Sequence, residues 1–321
     1  MSKFTFFGGK GGVGKTTVAS AYALKSAQAG HRTLLVSTDP AHSTSDVFDQ
    51  QFDDEPQQVD GIENLWAMEI DPEEEVEAHA REIKRRMADQ VSPVLVNEIE
   101  RQIELAHQTP GATEAALFDR FVEVMRSSAE YDRVVFDTSP TGGTLRLLSL
   151  PEHLERWIER LLEKRKQSLD LYEMAAIGDR EPDQHVEDDP IIQQLRKRKE
   201  LFEYARETLP EAAFYLVVNP DQLSIRETRR SIEVLAEHDL TVKGLVVNKV
   251  TPEPDPDERG RGGQFLREKV AVERERIREI EESLAPPVVA QIETRTREVK
   301  NDLLEAVADE LDIGVALERA Q

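Results

Sequence analysis

Short apolar runs rich in β-branched and aromatic residues recur along the chain and predict buried strands of a parallel sheet. Seven such runs are present, at 3–7, 33–37, 65–70, 133–137, 213–218, 245–248 and 288–292. Stretches with helical periodicity separate them, such as residues 16–29, which precede Gly30 in a position suited to end a helix. This alternation predicts βαβ units and therefore an α/β fold with a doubly wound, mainly parallel sheet.

Two stretches between the predicted strands are too long for simple crossovers, and both have helical character. They run from 71 to about 130 and from 151 to about 210, and we expect them to form a helical subdomain inserted into a single domain of residues 1–321. Five apolar residues of the second stretch share one helix face: Leu154, Trp157, Ile158, Leu161 and Leu162. That face is either a contact between packed helices or a groove for an apolar helix of another protein.

The most informative segment follows the first predicted strand, where residues 8–17 read GGKGGVGKTT. It matches the phosphate-binding pattern G-x-x-x-x-G-K-[ST] between a strand and a helix, the context of a P-loop. Glycines let backbone N–H groups approach phosphate oxygens, and the helix N-terminus adds its positive dipole end. We expect Lys15 to bind the β- and γ-phosphates and Thr16 to ligate Mg²⁺. A glycine-rich turn without a ligand is the alternative. The expected nucleotide-binding residues here are Gly9, Lys10, Gly11, Gly12, Val13, Gly14, Lys15, Thr16 and Thr17.

Two aspartates stand at the ends of predicted strands, where doubly wound sheets place their chemistry. Asp137 ends an apolar run and suits an aspartate that holds Mg²⁺, directly or through water. The glycine pair at 142–143 suits a loop that rearranges with the γ-phosphate, with an ordinary strand-to-helix turn as the alternative. Asp39 is suited either to orient the water that attacks the γ-phosphate or to form a turn before Pro40.

Composition narrows the classes of function. The chain has 64 acidic and 41 basic residues, a formal net charge of −23, so it should repel nucleic acid, and no nucleic-acid partner is expected. This acidity favours a salt-loving source, with an ordinary acidic protein as the alternative. The absence of cysteine excludes disulfides and thiolate sites for zinc or iron–sulfur clusters. Without a predicted signal peptide or membrane span, we expect a cytoplasmic location.

Five segments together resemble the arsenical-pump ATPase family, which includes the ATPase that targets tail-anchored membrane proteins. In chain order they are GGKGGVGKTT, STDPAHS, FDTSPTGGTLRLLSLP, LVVNPDQLSIRETRRSIEVL and GLVVNKV. The resemblance covers nearly the whole chain and is closest to the targeting ATPases. It implies a P-loop NTPase that uses ATP and Mg²⁺ and couples hydrolysis to the opening and closing of a homodimer.

The resemblance also implies roles for residues of the switch segments. Lys10 matches the extra lysine of a "deviant" P-loop, which reaches the partner's nucleotide across the dimer interface; a lysine that points to solvent is the alternative. Asp39 takes the place of the catalytic aspartate of the first switch. Asp137 takes the place of the second-switch aspartate near Mg²⁺.

Three further positions correspond to the family's base-binding and cross-dimer contacts. Asn248 would recognise adenine through its side-chain amide, and Pro287 would lie near the adenine. Asp221 stands where the targeting ATPases carry a glutamate that contacts nucleotide across the dimer. The eukaryotic members hold their dimer with zinc bound by a C-x-x-C pair, and because this chain has no cysteine we expect no zinc.

The expected function is an ATP-hydrolysing switch that captures and delivers hydrophobic, tail-anchored membrane-protein segments. One alternative is the ATPase motor subunit of a membrane efflux pump of the arsenical-pump type that does not depend on cysteines. A second alternative is an ATP-dependent holdase chaperone. The expected partners are therefore a second copy of the chain and either transmembrane segments or a membrane protein.

Overall fold

The computed structural model describes residues 2–38, 43–71, 74, 112–137, 159–160, 163 and 190–315. Internal contacts divide the chain into two compact units. The first comprises Met1–Pro72, Ser127–Leu145 and Glu211–Gln321, and the second comprises Glu73–Arg126 and Arg146–Pro210. The second unit spans nearly the same ranges as the predicted helical insertions.

The described residues of the first unit form an eight-stranded sheet with the order β3-β4-β2-β5-β1-β6-β7-β8. The strands are β1 (Phe4–Gly9), β2 (Thr33–Ser37), β3 (Gln57–Gln58), β4 (Leu65–Glu69), β5 (Arg133–Asp137), β6 (Ala213–Val218), β7 (Val242–Val250) and β8 (Val288–Glu293). Neighbouring strands are parallel except for β3 and β4. The predicted α/β fold with a mainly parallel sheet is therefore confirmed.

Helices flank this sheet and also build the second unit. The helices within the described residues are α1 (Lys15–Gln28), α2 (Ser43–Phe48), α3 (Ala112–Ser127), α4 (Pro190–Thr208), α5 (Gln222–Ala236), α6 (Arg261–Ser283) and α7 (Asp302–Glu310). In the second unit, α3 and α4 meet through the stacked rings of Phe118 and Phe202, whose centroids are 5.3 Å apart. The apolar residues predicted to share a helix face between 154 and 162 lie outside the described residues. No helix in the described ranges is long and apolar enough to cross a membrane.

The first helix ends as its sequence predicts. Gly30 has a φ of +91°, in the left-handed region that glycine adopts without a steric penalty. Its N–H donates to the carbonyl of Ala27 at 2.9 Å, and the N–H of His31 donates to that of Ser26 at 3.2 Å. These two bonds form a Schellman motif, which satisfies the last carbonyls of α1.

The core of the first unit contains stacked aromatic rings from the central strands and the buried apolar residues of α1 and α7. Phe6 of β1 stacks between Phe136 and Phe214, with centroid distances of 4.5 and 4.9 Å. The helix α7 packs against α1, and the buried apolar residues of both helices belong to one core. The chain after α7 is held by the carbonyl of Val315, which accepts a hydrogen bond from His31 at 2.5 Å.

Candidate nucleotide-binding site

The glycine loop lies where the winding of the sheet reverses. On one side of β1 the neighbouring strands are, in order, β5, β2, β4 and β3, and on the other side they are β6, β7 and β8. The carboxyl end of β1 is therefore the switch point at which open α/β sheets bind their ligands. The segment that leaves β1 at this point is the glycine loop at 9–14, which α1 follows directly.

Three glycines give this loop a conformation that side chains would obstruct. Gly9, Gly12 and Gly14 have φ values of +144°, +77° and +91°. A Cβ on Gly9 would lie 2.4 Å from the carbonyl oxygen of Val217, and one on Gly14 would lie 2.4 Å from Nδ2 of Asn248. The positive φ values favour glycine at all three positions, and at Gly9 and Gly14 neighbouring atoms also leave no room for a side chain.

The N-terminus of α1 directly follows the glycine loop. Gly14 is the N-cap residue, and among the described residues no side chain caps the helix and no acidic residue occupies its first turn. The first N–H groups of a helix lack intrahelical acceptors and carry the positive end of its dipole, so this terminus suits an anion. Lys15 adds a cation there: its side chain is largely buried, and Nζ lies 3.3 Å from the carbonyl oxygen of Lys10.

Two consecutive residues near the end of β7 also contact the loop. Nδ2 of Asn248 donates to the carbonyl of Val13 at 2.7 Å, and Nζ of Lys249 donates to the carbonyl of Gly12 at 2.6 Å. The predicted adenine ligand Asn248 is thus brought to the phosphate loop and holds it through its amide nitrogen. Lys249 was not among the predicted ligands. The sequence feature that could have indicated it is its position next to Asn248 at the end of a predicted strand.

Asp137 lies beside the loop at the end of β5. Strand register places it opposite Phe7 of β1 and Ser37 of β2, so it is level with the start of the glycine loop. Its side chain is only 1% exposed, and Ser37 Oγ donates to Oδ2 at 3.4 Å. The N–H of Thr38 donates to the backbone carbonyl of Asp137 at 3.2 Å, which ties the chain before Asp39 to this strand end.

The other predicted site residues lie elsewhere or outside the described residues. Asp39 and the glycine pair at 142–143 fall outside the described ranges. Asp221 is the N-cap of α5, where Oδ1 accepts the N–H groups of Leu223 and Ser224 at 3.0 and 2.9 Å. Pro287 is exposed at the start of β8, and its carbonyl accepts a hydrogen bond from β7 at 2.8 Å.

Two buried glutamates near the strand ends were not predicted from the sequence. Oε1 and Oε2 of Glu69 accept the N–H and Oγ–H of Ser45 at 2.9 and 2.8 Å. Glu273 binds Thr251 in the same way, at 2.7 Å to its N–H and 3.0 Å to its hydroxyl. Partners separated by 24 and 22 residues leave no local sequence signal.

The chain is similar in sequence to several known proteins. A sequence model of the family described as anion-transporting ATPase matches residues 2–312. The chain is 34% identical over 278 residues to a protein of Aquifex aeolicus named as an arsenical pump-driving ATPase, covering 86% of this chain and 87% of the relative. It is 36% identical to ATPase ASNA1 homolog 1 of Paramecium tetraurelia (77% and 75% covered) and 34% identical to ATPase get3 of Aspergillus terreus (77% and 73% covered).

Proposed function

Because the chain belongs to the anion-transporting ATPase family and is an ATPase, we propose that it binds the phosphates of ATP at the loop of residues 9–17. The observation that supports this most is the start of α1, where a left-handed Gly14 precedes helix donors that no described side chain caps. Lys15 is the first residue of α1, so its ammonium group, the positive end of the helix dipole and the N–H groups of the glycine loop would all attract the same phosphate.

Thr16 and Asp137 have the donor chemistry to hold Mg²⁺, since this ion prefers hydroxyl, carboxylate and water oxygens. Asp137 is buried at the strand end beside the loop, and Thr16 lies in the first turn of α1. When bound, the ion would neutralise charge on the phosphate oxygens. Asp39 would orient the attacking water, and Asn248 would bind the adenine while its amide nitrogen holds the loop.

We further propose that the ATPase works as a homodimer in which Lys10 of each copy reaches the other's phosphates. In the described part of the chain, the ammonium group of Lys10 has no hydrogen-bond or ion-pair partner, while its backbone carbonyl accepts from Lys15. A lysine placed in the phosphate loop but unused by its own subunit suits a contact across an interface. Asp221 and Pro287 would complete the nucleotide site, the first across the dimer and the second near the base.

The proposed client is the hydrophobic segment of a tail-anchored membrane protein, captured and released as the cytoplasmic dimer closes and opens. The support is the similarity to relatives named ATPase get3 and ATPase ASNA1 homolog, together with the resemblance to the targeting ATPases. The helical insertions would bind the client. An efflux-pump motor is the second candidate, because the Aquifex aeolicus relative named as arsenical pump-driving matches over 87% of its length.

The decisive experiment is to identify what copurifies with the Asp39→Asn variant in the presence of ATP. This variant should stall in the ATP-bound, client-holding state, and the Asp39→Asn/Lys15→Met double variant controls for binding that does not need ATP. Enrichment of proteins with a single C-terminal transmembrane helix is the expected result. A single multi-span transporter would instead support the pump motor, and only soluble unfolded proteins would support a holdase chaperone.

A further inference from the structure

The end of β7 departs from regular strand geometry at Lys249. This residue has a φ of +60°, in the left-handed region that side-chain-bearing residues seldom occupy. The pairing of β7 with β8 shifts register between Val247 and Val250, on either side of it. Consecutive side chains of a regular strand point to opposite faces, yet Asn248 and Lys249 both reach the glycine loop. The unusual backbone is what directs the two side chains to one target.

The two targets are neighbouring peptide groups of the phosphate loop. Lys249 holds the carbonyl oxygen of Gly12, and Asn248 holds that of Val13. Because a peptide group is planar and trans, fixing its oxygen on one side directs its N–H to the other side. The Asn248 contact therefore sets the direction of the Gly14 N–H, and the Lys249 contact sets that of the Val13 N–H, which donates to the carbonyl of Lys10 at 3.4 Å within the loop. A phosphate loop binds its ligand through such N–H groups.

We propose that Lys249 is a positioning residue for ATP binding, which holds the glycine loop in its phosphate-binding shape without contacting the nucleotide. The hydrogen bond from the Lys249 ammonium group is charge-assisted but solvent-exposed, whereas that from Asn248 is buried, so the two bonds fix neighbouring carbonyls from the outer and inner sides of the loop. The inference rests on the proposal that the loop of residues 9–17 binds the phosphates. It links the end of β7, where the adenine ligand Asn248 lies, to the phosphate-binding backbone.

The first test measures the affinity for ADP by calorimetry in Lys249→Met, Lys249→Arg and Lys243→Met. Lys243 is the matched control, because it is an exposed lysine of the same strand without a hydrogen bond in the described part of the chain. Loss of one charge-assisted hydrogen bond should raise the Kd of Lys249→Met about tenfold. Lys249→Arg, which keeps a donor, should stay within about threefold of wild type, and Lys243→Met should be unchanged. Equal affinity in Lys249→Met and Lys243→Met would overturn the proposal.

The second test separates positioning from direct contact with the nucleotide. Hydrogen exchange of the peptide covering residues 9–17, measured without nucleotide, should be faster in Lys249→Met than in Lys243→Met. A lysine that acted only on the bound nucleotide would leave this exchange unchanged, and that result would overturn the proposal. Lys249→Gly tests the backbone: it relieves the left-handed geometry but removes the ammonium group, so it should lose affinity as Lys249→Met does. Wild-type affinity in Lys249→Gly would also contradict a positioning role.

A third variant distinguishes this inference from the proposed function. Lys15→Met should lose ADP binding if the loop is the phosphate site. Loss in Lys15→Met with full binding in Lys249→Met overturns only the role of Lys249. Full binding in both variants overturns the phosphate site and the inference together. Melting temperatures without nucleotide, compared with wild type, establish that each variant is folded before its affinity is interpreted.

Discussion

At the scale of single residues, Glu69 and Glu273 show how a buried carboxylate can fix a chain segment. Each is buried and accepts both the N–H and the hydroxyl of one residue, Ser45 for Glu69 and Thr251 for Glu273. A buried carboxylate is costly unless its oxygens accept hydrogen bonds, so each pair holds its partner in one position. Ser45 lies in α2, just after the segment that contains Asp39, and Thr251 directly follows β7. The two pairs therefore fix segments next to the proposed catalytic and base-binding residues.

Replacing Glu69 with glutamine should lower the free energy of unfolding by about 1.5–3 kcal/mol, because one charged acceptor becomes an amide nitrogen. Urea unfolding measures the change. Glu63→Gln is the control, since Glu63 is exposed just before the same strand and should change stability by less than about 0.5 kcal/mol. In a double-mutant cycle with Ser45→Ala the two effects should be coupled, and purely additive effects would contradict the assigned contact.

At the scale of elements, all seven predicted strands are present. Six of them lie inside the sheet, where a parallel strand needs an uninterrupted apolar run, and the seventh, β8, is a partly exposed edge strand. The two-residue β3 consists of glutamines and carries no apolar pattern, so it could not be predicted. The strand β7 begins earlier than predicted, at Val242, because exposed Lys243 interrupts its apolar run.

In the candidate site, too, the features set by the local sequence could be predicted, and the contacts between distant residues could not. The glycine loop was predictable because its positive φ angles favour glycine, so the spacing of the glycines is visible in the local sequence. The contacts of Asn248 and Lys249 with the loop were not, because their partners lie 235 and 237 residues away in the chain. Such contacts depend on β7 lying two strands from β1, and the strand order cannot be read from periodicity.

The shape of the loop leads to a prediction for Gly14→Ala. The added methyl group would meet Nδ2 of Asn248 at 2.4 Å on a residue with a φ of +91°, so the loop must shift away from β7. We expect the affinity for ADP to fall at least about tenfold, measured by calorimetry. Gly61→Ala is the control, because its φ of +74° is also left-handed but no described atom lies within 4 Å of the added group. It should cost about 1–2 kcal/mol of stability and leave ADP affinity intact. Equal affinity in both variants would contradict the structural account.

At the scale of the whole molecule, the net charge of −23 predicts that self-repulsion outweighs the exposed ion pairs. Raising potassium chloride shortens the screening length from about 10 Å at 0.1 M to about 3 Å at 1 M. We therefore expect the melting temperature to rise by at least about 5 °C between these concentrations, as measured by calorimetry. Chloride is preferred because sulfate strengthens apolar burial in any protein. A falling melting temperature would show that ion pairs such as Arg32–Glu130 dominate instead.

The proposed dimer makes a prediction about mixtures of two inactive variants. Lys10→Ala and Lys15→Met should each abolish ATP hydrolysis when alone. If Lys10 acts across the interface, a mixed dimer contains one complete site: Lys15 from the first copy and Lys10 from the second. Random mixing should therefore restore up to about a quarter of wild-type activity, since about half of the dimers are mixed and each has one working site of two. No recovery, under conditions where subunit exchange is demonstrated by labelled copies, would place Lys10 in its own subunit's site.

The packing of α7 on α1 has a consequence for how the protein is made. The buried apolar face of the phosphate-loop helix is completed by α7 and by the chain up to Val315, which bonds to His31 across 284 residues. At about 5–20 residues per second, a ribosome needs roughly 15–60 seconds to synthesise that interval. Throughout this time the apolar face of α1 lacks its cover. A nascent chain therefore exposes this apolar face until α7 has been synthesised, and temporary protection of the face should limit its aggregation.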